Sequence, residues 1–261
     1  MFMSDLFSSQ AGTLAYGITL FEQYINRAHK AYEDEEFFDW PTIFLTTTLQ
    51  ATSVSLIKLL PSADDTNEIL DKRSIASLVR NIIDTHDVLD MMSNADTPER
   101  LSLHRNILGM YISGRISKIQ KSIDNERAEK FYPYSKEQYW KKIKSSPCYS
   151  HRLDKLKNGE GVFYNTRMER LKNSCEEHAD FVSGIIADLS TLVHSIPPTL
   201  WLSGLNEIYN NSEGNRNMVS IWLRVANFFF ARSISCFLKV TKYDVTPELQ
   251  KYITHHKKVF S

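Results

Sequence analysis

Arg80, Asp84 and His86 lie close together in the stretch KRSIASLVRNIIDTHDVLDMM and are the residues of this chain best suited to acid–base chemistry. A histidine titrating near neutrality can move a hydroxyl proton, and a guanidinium can clamp phosphate oxygens at two points. At about 100° per helical residue, Ile75, Leu78, Val79, Ile82, Thr85 and Leu89 share one face, with His86 at its edge and at least partly enclosed. Arg80, Asp84 and Asp87 fall on the opposite side, at the spacing of a solvent-exposed ion-pair ladder, which is the structural alternative for the same residues. His194, in STLVHSIPP, stands near a helix C-terminus where the dipole favours imidazolium. It can cap that helix, or join Arg80 and Asp84 in a polar pocket for a small substrate. His86 with Asp90 at i+4, and Glu177 or His178 with Asp180, are pairs of metal-ligating types. Neither H-E-x-x-H nor the paired Glu-x-x-His of di-iron bundles occurs, so no metal site and no other cofactor is expected.

A second group is defined by charge. The chain is neutral overall, with 31 Lys and Arg against 31 Asp and Glu, but the signs are segregated. Residues 1–99 carry net −10, residues 100–172 net +10, and residues 173–261 balance. Within the basic block Lys136, Lys141, Lys142, Lys144, Arg152, Lys155 and Lys157 are interleaved with aromatic residues that include Tyr139 and Trp140. Cations that meet phosphates beside rings that stack on unpaired bases are the combination found in single-strand binders, so RNA or another single-stranded nucleic acid is the expected partner. Two alternatives stay open. The aromatic residues can anchor an irregular segment to the core, and the opposite charge blocks can neutralise each other or mediate contact with a protein partner.

The run from Arg80 to His86, an arginine, five residues and a histidine with Asn81 after the arginine, resembles the Arg-(x4–6)-His motif of the HEPN superfamily. Members of that superfamily are all-α, and many are metal-independent ribonucleases of toxin–antitoxin and antiviral systems. The resemblance implies that Arg80 binds the scissile phosphate and His86 acts as general base or acid. It also implies a homodimer, because such sites are usually completed across two subunits. On a regular helix Arg80 and His86 point about 120° apart, so a helix distortion or a second copy has to bring them together. SLVRNIIDTHDVL and the later ADFVSGIIADLSTLVHSIPPTLWL are also similar to uncharacterised bacterial helical proteins with a Leu-x-Arg helix and a Ser-x-x-x-His-x-x-Pro segment. That similarity singles out Ser190, His194 and Pro197.

These residues need a scaffold, and the composition specifies its class. Only 9 Gly and 8 Pro among 261 residues argue for long uninterrupted elements rather than turn-rich β structure. Apolar spacing predicts helices over 10–31, from Pro41 to about Leu60, over 66–93, and from Asp96-Thr97-Pro98 to about 130. A short helix is expected at 136–145 inside an otherwise irregular 131–166, with further helices at 166–194, 198–210, 216–241 and 247–257. The expectation is a single all-α, bundle-like domain of about eight helices over 1–261, with one long irregular basic segment. Residues 218–240 are long enough to span a membrane, but Arg224, Asn227 and Arg232 lie within them, which favours a buried central helix whose arginines find carboxylate or carbonyl partners. Three scattered cysteines without a C-x-x-C pair indicate neither a disulfide framework nor a zinc ribbon, and together with an N-terminus lacking a signal-like pattern they suggest a reducing cytoplasm. No phosphate-binding loop, dinucleotide-binding turn or nucleophile elbow is present, which disfavours those nucleotide enzymes and the α/β-hydrolases.

Overall fold

The structure, a computed structural model, describes residues 4–34, 40–62, 68–120, 126, 129, 132, 134–193 and 210–260. The described residues form an all-α protein without a strand. The helices are α1 (Ser4–Glu33), α2 (Trp40–Leu59), α3 (Lys72–Ser93), α4 (Pro98–Ile119), α5 (Lys136–Lys144), α6 (Arg167–Cys175), α7 (Ala179–Val193), α8 (Glu213–Thr241) and α9 (Pro247–Lys257). The continuous helix expected over 166–194 is broken by a 3₁₀ turn at Glu176–His178, where Glu176 takes a left-handed φ of 46°. The helix expected at 198–210, and His194 and Pro197 with it, lie outside the described residues.

The chain divides into two compact units, Met1–Asp90 with Arg170–Ser261, and Met91–Glu169. The 131–166 segment lies within the second of these units, which begins at Met91.

The first unit is built on α8. Trp222, Leu223, Val225, Phe228, Phe229, Phe230, Ile234 and Phe237 are all buried, so the helix is apolar nearly all round, the pattern of a core element. It is long and apolar enough to cross a membrane by composition, yet 78% of its apolar window is buried within the protein. Phe21 of α1 meets Phe230 and Phe237 edge-on, with centroids 6.1 and 5.2 Å apart. Each such side chain contributes roughly 1.5–3 kcal/mol through burial. Arg224 and Arg232, expected to need carboxylate or carbonyl partners, instead lie over the Phe260 and Phe228 rings at 5.3 and 5.5 Å. Asn227 is fully buried and fully used. Its amide donates to the Gln10 carbonyl at 3.0 Å, and its oxygen accepts from the Tyr252 hydroxyl at 3.2 Å. Tyr252 reaches that position over Gly17, where any Cβ would come within 2.3 Å of its ring.

The second unit begins with the cap expected from the sequence. The Thr97 hydroxyl accepts from the Arg100 N–H and Pro98 starts α4. Helix α5 opens with a Ser135/Gln138 capping box and lays Tyr139 against α4 at Gly109. A 3₁₀ turn, His151–Leu156, then buries Leu153 and Leu156. The chain comes back to α4 at Gly114, where an added Cβ would stand 2.9 Å from the Gly159 carbonyl oxygen, and Gly159 itself has φ of 66°.

Three outcomes follow from this packing. Gly114→Ala should lower stability by on the order of 1 kcal/mol in urea denaturation, because displacing backbone outweighs the propensity gained. Gly12→Ala, with open space around it, should instead raise stability by about 0.5–1 kcal/mol. The third outcome concerns pH. Burial, with His255 adding repulsion, holds His256 at about 4, and burial likewise lowers His104. The unfolded chain binds these protons at about 6.5, so it takes up more protons than the fold between there and about 4, and stability falls as pH falls through that window. His256→Gln should shrink the loss of Tm between pH 7 and pH 5; an undiminished loss would refute this assignment.

Candidate functional site

Asp71 starts α3 by accepting from the Arg73 and Ser74 N–H groups at 3.2 and 3.1 Å, which fixes the register of the helix that carries Arg80, Asp84 and His86. Arg80 pairs with Asp84 at 3.2 Å, one turn on, and its guanidinium donates to the Ser190 hydroxyl of α7. Ser190 donates in turn to the Ile186 carbonyl at 2.6 Å. The two segments singled out in the sequence therefore do meet, through Arg80 and Ser190, at a polar edge where Asp84 is 47% exposed.

His86 points the other way. Its side chain is buried against Phe229 of α8, with ring centroids 4.9 Å apart. Nδ1 stands 3.5 Å from the Asp87 carboxylate, beyond hydrogen-bond geometry, and neither ring nitrogen has a hydrogen-bond partner. The partners of Arg80 are Asp84 and Ser190, and those of His86 are Asp87 and Phe229, so the two residues occupy separate environments. A ring without exposed surface has no path to a scissile phosphate in this conformation.

Asp87 overturns the exposed-ladder reading. Its side chain is only 6% exposed and accepts from the Arg170 guanidinium of α6 at 2.8 Å. Burial alone would push its carboxyl up, but the neighbouring His86 ring and Arg170 cation outweigh burial and hold it below the ordinary carboxylate range. Arg170 lies 83 residues from Asp87, and no local pattern pairs them.

In the second unit, Lys141, Lys142, Lys144, Arg152, Lys155 and Lys157 are exposed. Lys136 is half-buried, with Nζ 3.9 Å from Glu137. Arg152 is paired with Glu169 at 2.7 Å, and the Thr166 backbone and Arg152 bring Glu169 down to about 2. Tyr139 is not a free stacking surface, because its ring fills the space over Gly109 and meets Tyr134 edge-on. Trp140 packs edge-on against Tyr149, with Lys144 5.6 Å from its ring. Tyr134 is the more open ring, 40% exposed, with Lys142 Nζ 3.6 Å from its centroid. Beside it a cleft of about 690 Å³ is lined by Tyr132, Tyr134, Lys136, Gln138 and the carboxylates of Glu129 and Glu137 among others.

Cys175 is buried, and burial pushes its thiol up to about 12, so it stays protonated. Among the described residues one group of His, Cys and carboxylate side chains comes within mutual ligating reach, namely His86, Asp90 and Cys236. Glu177, His178 and Asp180 do not form such a group.

The two arginine pairs should differ sharply in worth. Arg170→Ala leaves the Asp87 carboxylate buried without its cation and should cost about 3–5 kcal/mol in chemical denaturation. Arg80→Ala breaks a pair whose carboxylate is 47% exposed and should cost about 1 kcal/mol. In comparisons with known proteins, no family model, no curated protein and no solved structure matches this chain.

Proposed function

We propose that this protein binds RNA or single-stranded nucleic acid through the cationic surface of its Met91–Glu169 unit. The observation that carries the reading is that Lys141, Lys142, Lys144, Lys155 and Lys157 are exposed and, among the described residues, no carboxylate is in ion-pair contact with them. The unit holds 15 Lys and Arg against 9 Asp and Glu, net +6. Over residues 136–157 the only carboxylates are Glu137 and Asp154. Asp154 is engaged by the Tyr149 hydroxyl at 2.6 Å and by His151 at 3.3 Å, while Glu137 lies in the first turn of α5, where a carboxylate suits the dipole. The lysines therefore keep their charge for phosphates, and Tyr134, with Lys142 beside its ring, offers a base a stacking face next to a cation.

The reading is one of binding. His86 is buried in the core of its own unit, and Arg80 is held by Asp84 and Ser190. A second reading draws on the complementary charge of the other unit, net −6, which suits electrostatic self-association.

Affinity for a single-stranded RNA, measured by mobility shift in chelator, should fall with salt at a log–log slope of about 0.7 per phosphate contacted. Lys141→Glu with Lys142→Glu should weaken it at least tenfold, by about 1.4 kcal/mol; unchanged affinity would refute the interface. The RNA should stay intact. Cleavage by the wild type that His86→Ala abolishes would instead establish the HEPN-like chemistry, and salt-sensitive oligomers without RNA binding would favour self-association.

A further inference from the structure

We propose that His86, Asp90 and Cys236 form a buried nitrogen–oxygen–sulfur site for a divalent transition-metal ion of the zinc type, linking α3 to α8. The His86 side chain is closed off from solvent. An imidazole closed off from solvent normally uses both ring nitrogens, yet neither has a hydrogen-bond partner here. Neutral imidazole is also the commonest side-chain ligand for such ions.

The surroundings supply complementary donors. His86 and Asp90 are one turn apart on α3, and Cys236 faces them from α8. One ligand atom from each lies within 4.8 Å of the others, and the Cys236 sulfur is 3.9 Å from Asp90 Oδ1. Bond lengths of about 2.0–2.3 Å around a tetrahedral ion place donors about 3.3–3.8 Å apart, so adjustments of up to about 1.5 Å close the set. Phe229, two turns before Cys236 on the same helix, packs on the His86 ring and holds it beside α8.

The second layer fits as well. Asp87 Oδ1 stands 3.5 Å from His86 Nδ1 and is itself anchored by Arg170 at 2.8 Å. A carboxylate beside the imidazole is the kind of outer-layer neighbour common behind metal-bound histidines. Binding replaces the S–H bond of Cys236 with a sulfur–metal bond and releases the thiol proton to solvent. Three protein donors leave one tetrahedral position for water or another ligand, on the side of Asp90, which alone of the three is not buried.

The test uses the full chain stripped by chelator and titrated with Co²⁺ as the probe. The expected result is one equivalent bound with a thiolate-to-cobalt charge-transfer band, lost on adding Zn²⁺. Cys236→Ser should abolish the band, Cys148→Ser should keep it, and Asp90→Asn, at a half-exposed position, should weaken Co²⁺ binding at least tenfold with the fold intact by circular dichroism. No saturable band, a band unchanged in Cys236→Ser, or wild-type affinity in Asp90→Asn would overturn the assignment. The RNA-binding measurement does not bear on this site, so either proposal can fail alone.

Discussion

The apolar surface of α8 has to be kept from water, and the first unit is organised around that requirement. Phe228, Phe229, Phe230, Phe237 and Trp222 are distributed around the helix, so burying one stripe would leave the others wet. Helices α1, α2 and α9 pack on it from several directions, with Gly17 giving up its side chain so that Tyr252 can reach the core. The polar groups drawn inside are then tied off, as in the Gln10, Asn227 and Tyr252 chain, because an unpaired buried amide would cost on the order of 1–3 kcal/mol.

The same burial decides the chemistry available to α3. One face of that helix is taken into the core beside Phe229, carrying His86 with it, while Arg80 and Asp84 stay at a polar edge with Ser190. Asp87 is buried as well and needs Arg170, a pair whose desolvation is offset only by good geometry. Residues six apart in sequence thus end in different dielectric surroundings, which is why a motif read along the chain does not translate into one pocket.

Charge follows a different logic in the second unit. The three lysines near the end of α5 suit the negative end of the helix dipole, and its two glycine contacts on α4 set how closely the 136–159 segment can approach. Local carboxylates are drawn into capping and hydroxyl contacts, so the segment presents an excess of cations to solvent. That excess is a property of placement as much as of composition.

The sequence alone determined the helical class, the α4 cap at Thr97-Pro98, the central place of residues 218–240 and the segregation of charge, because each depends on spacing, local backbone chemistry or counting. It also marked His86 and Asp90 as neighbours on one turn, since i and i+4 always share a face. Only the tertiary structure decided that Asp87 is buried on Arg170, that Arg80 meets Ser190, that Tyr139 is spent on Gly109, that the break between units falls near Met91, and that Cys236 completes a group with His86 and Asp90. Each of these joins residues distant in the chain. Such contacts are fixed by which helix faces pack together, and no local period encodes them.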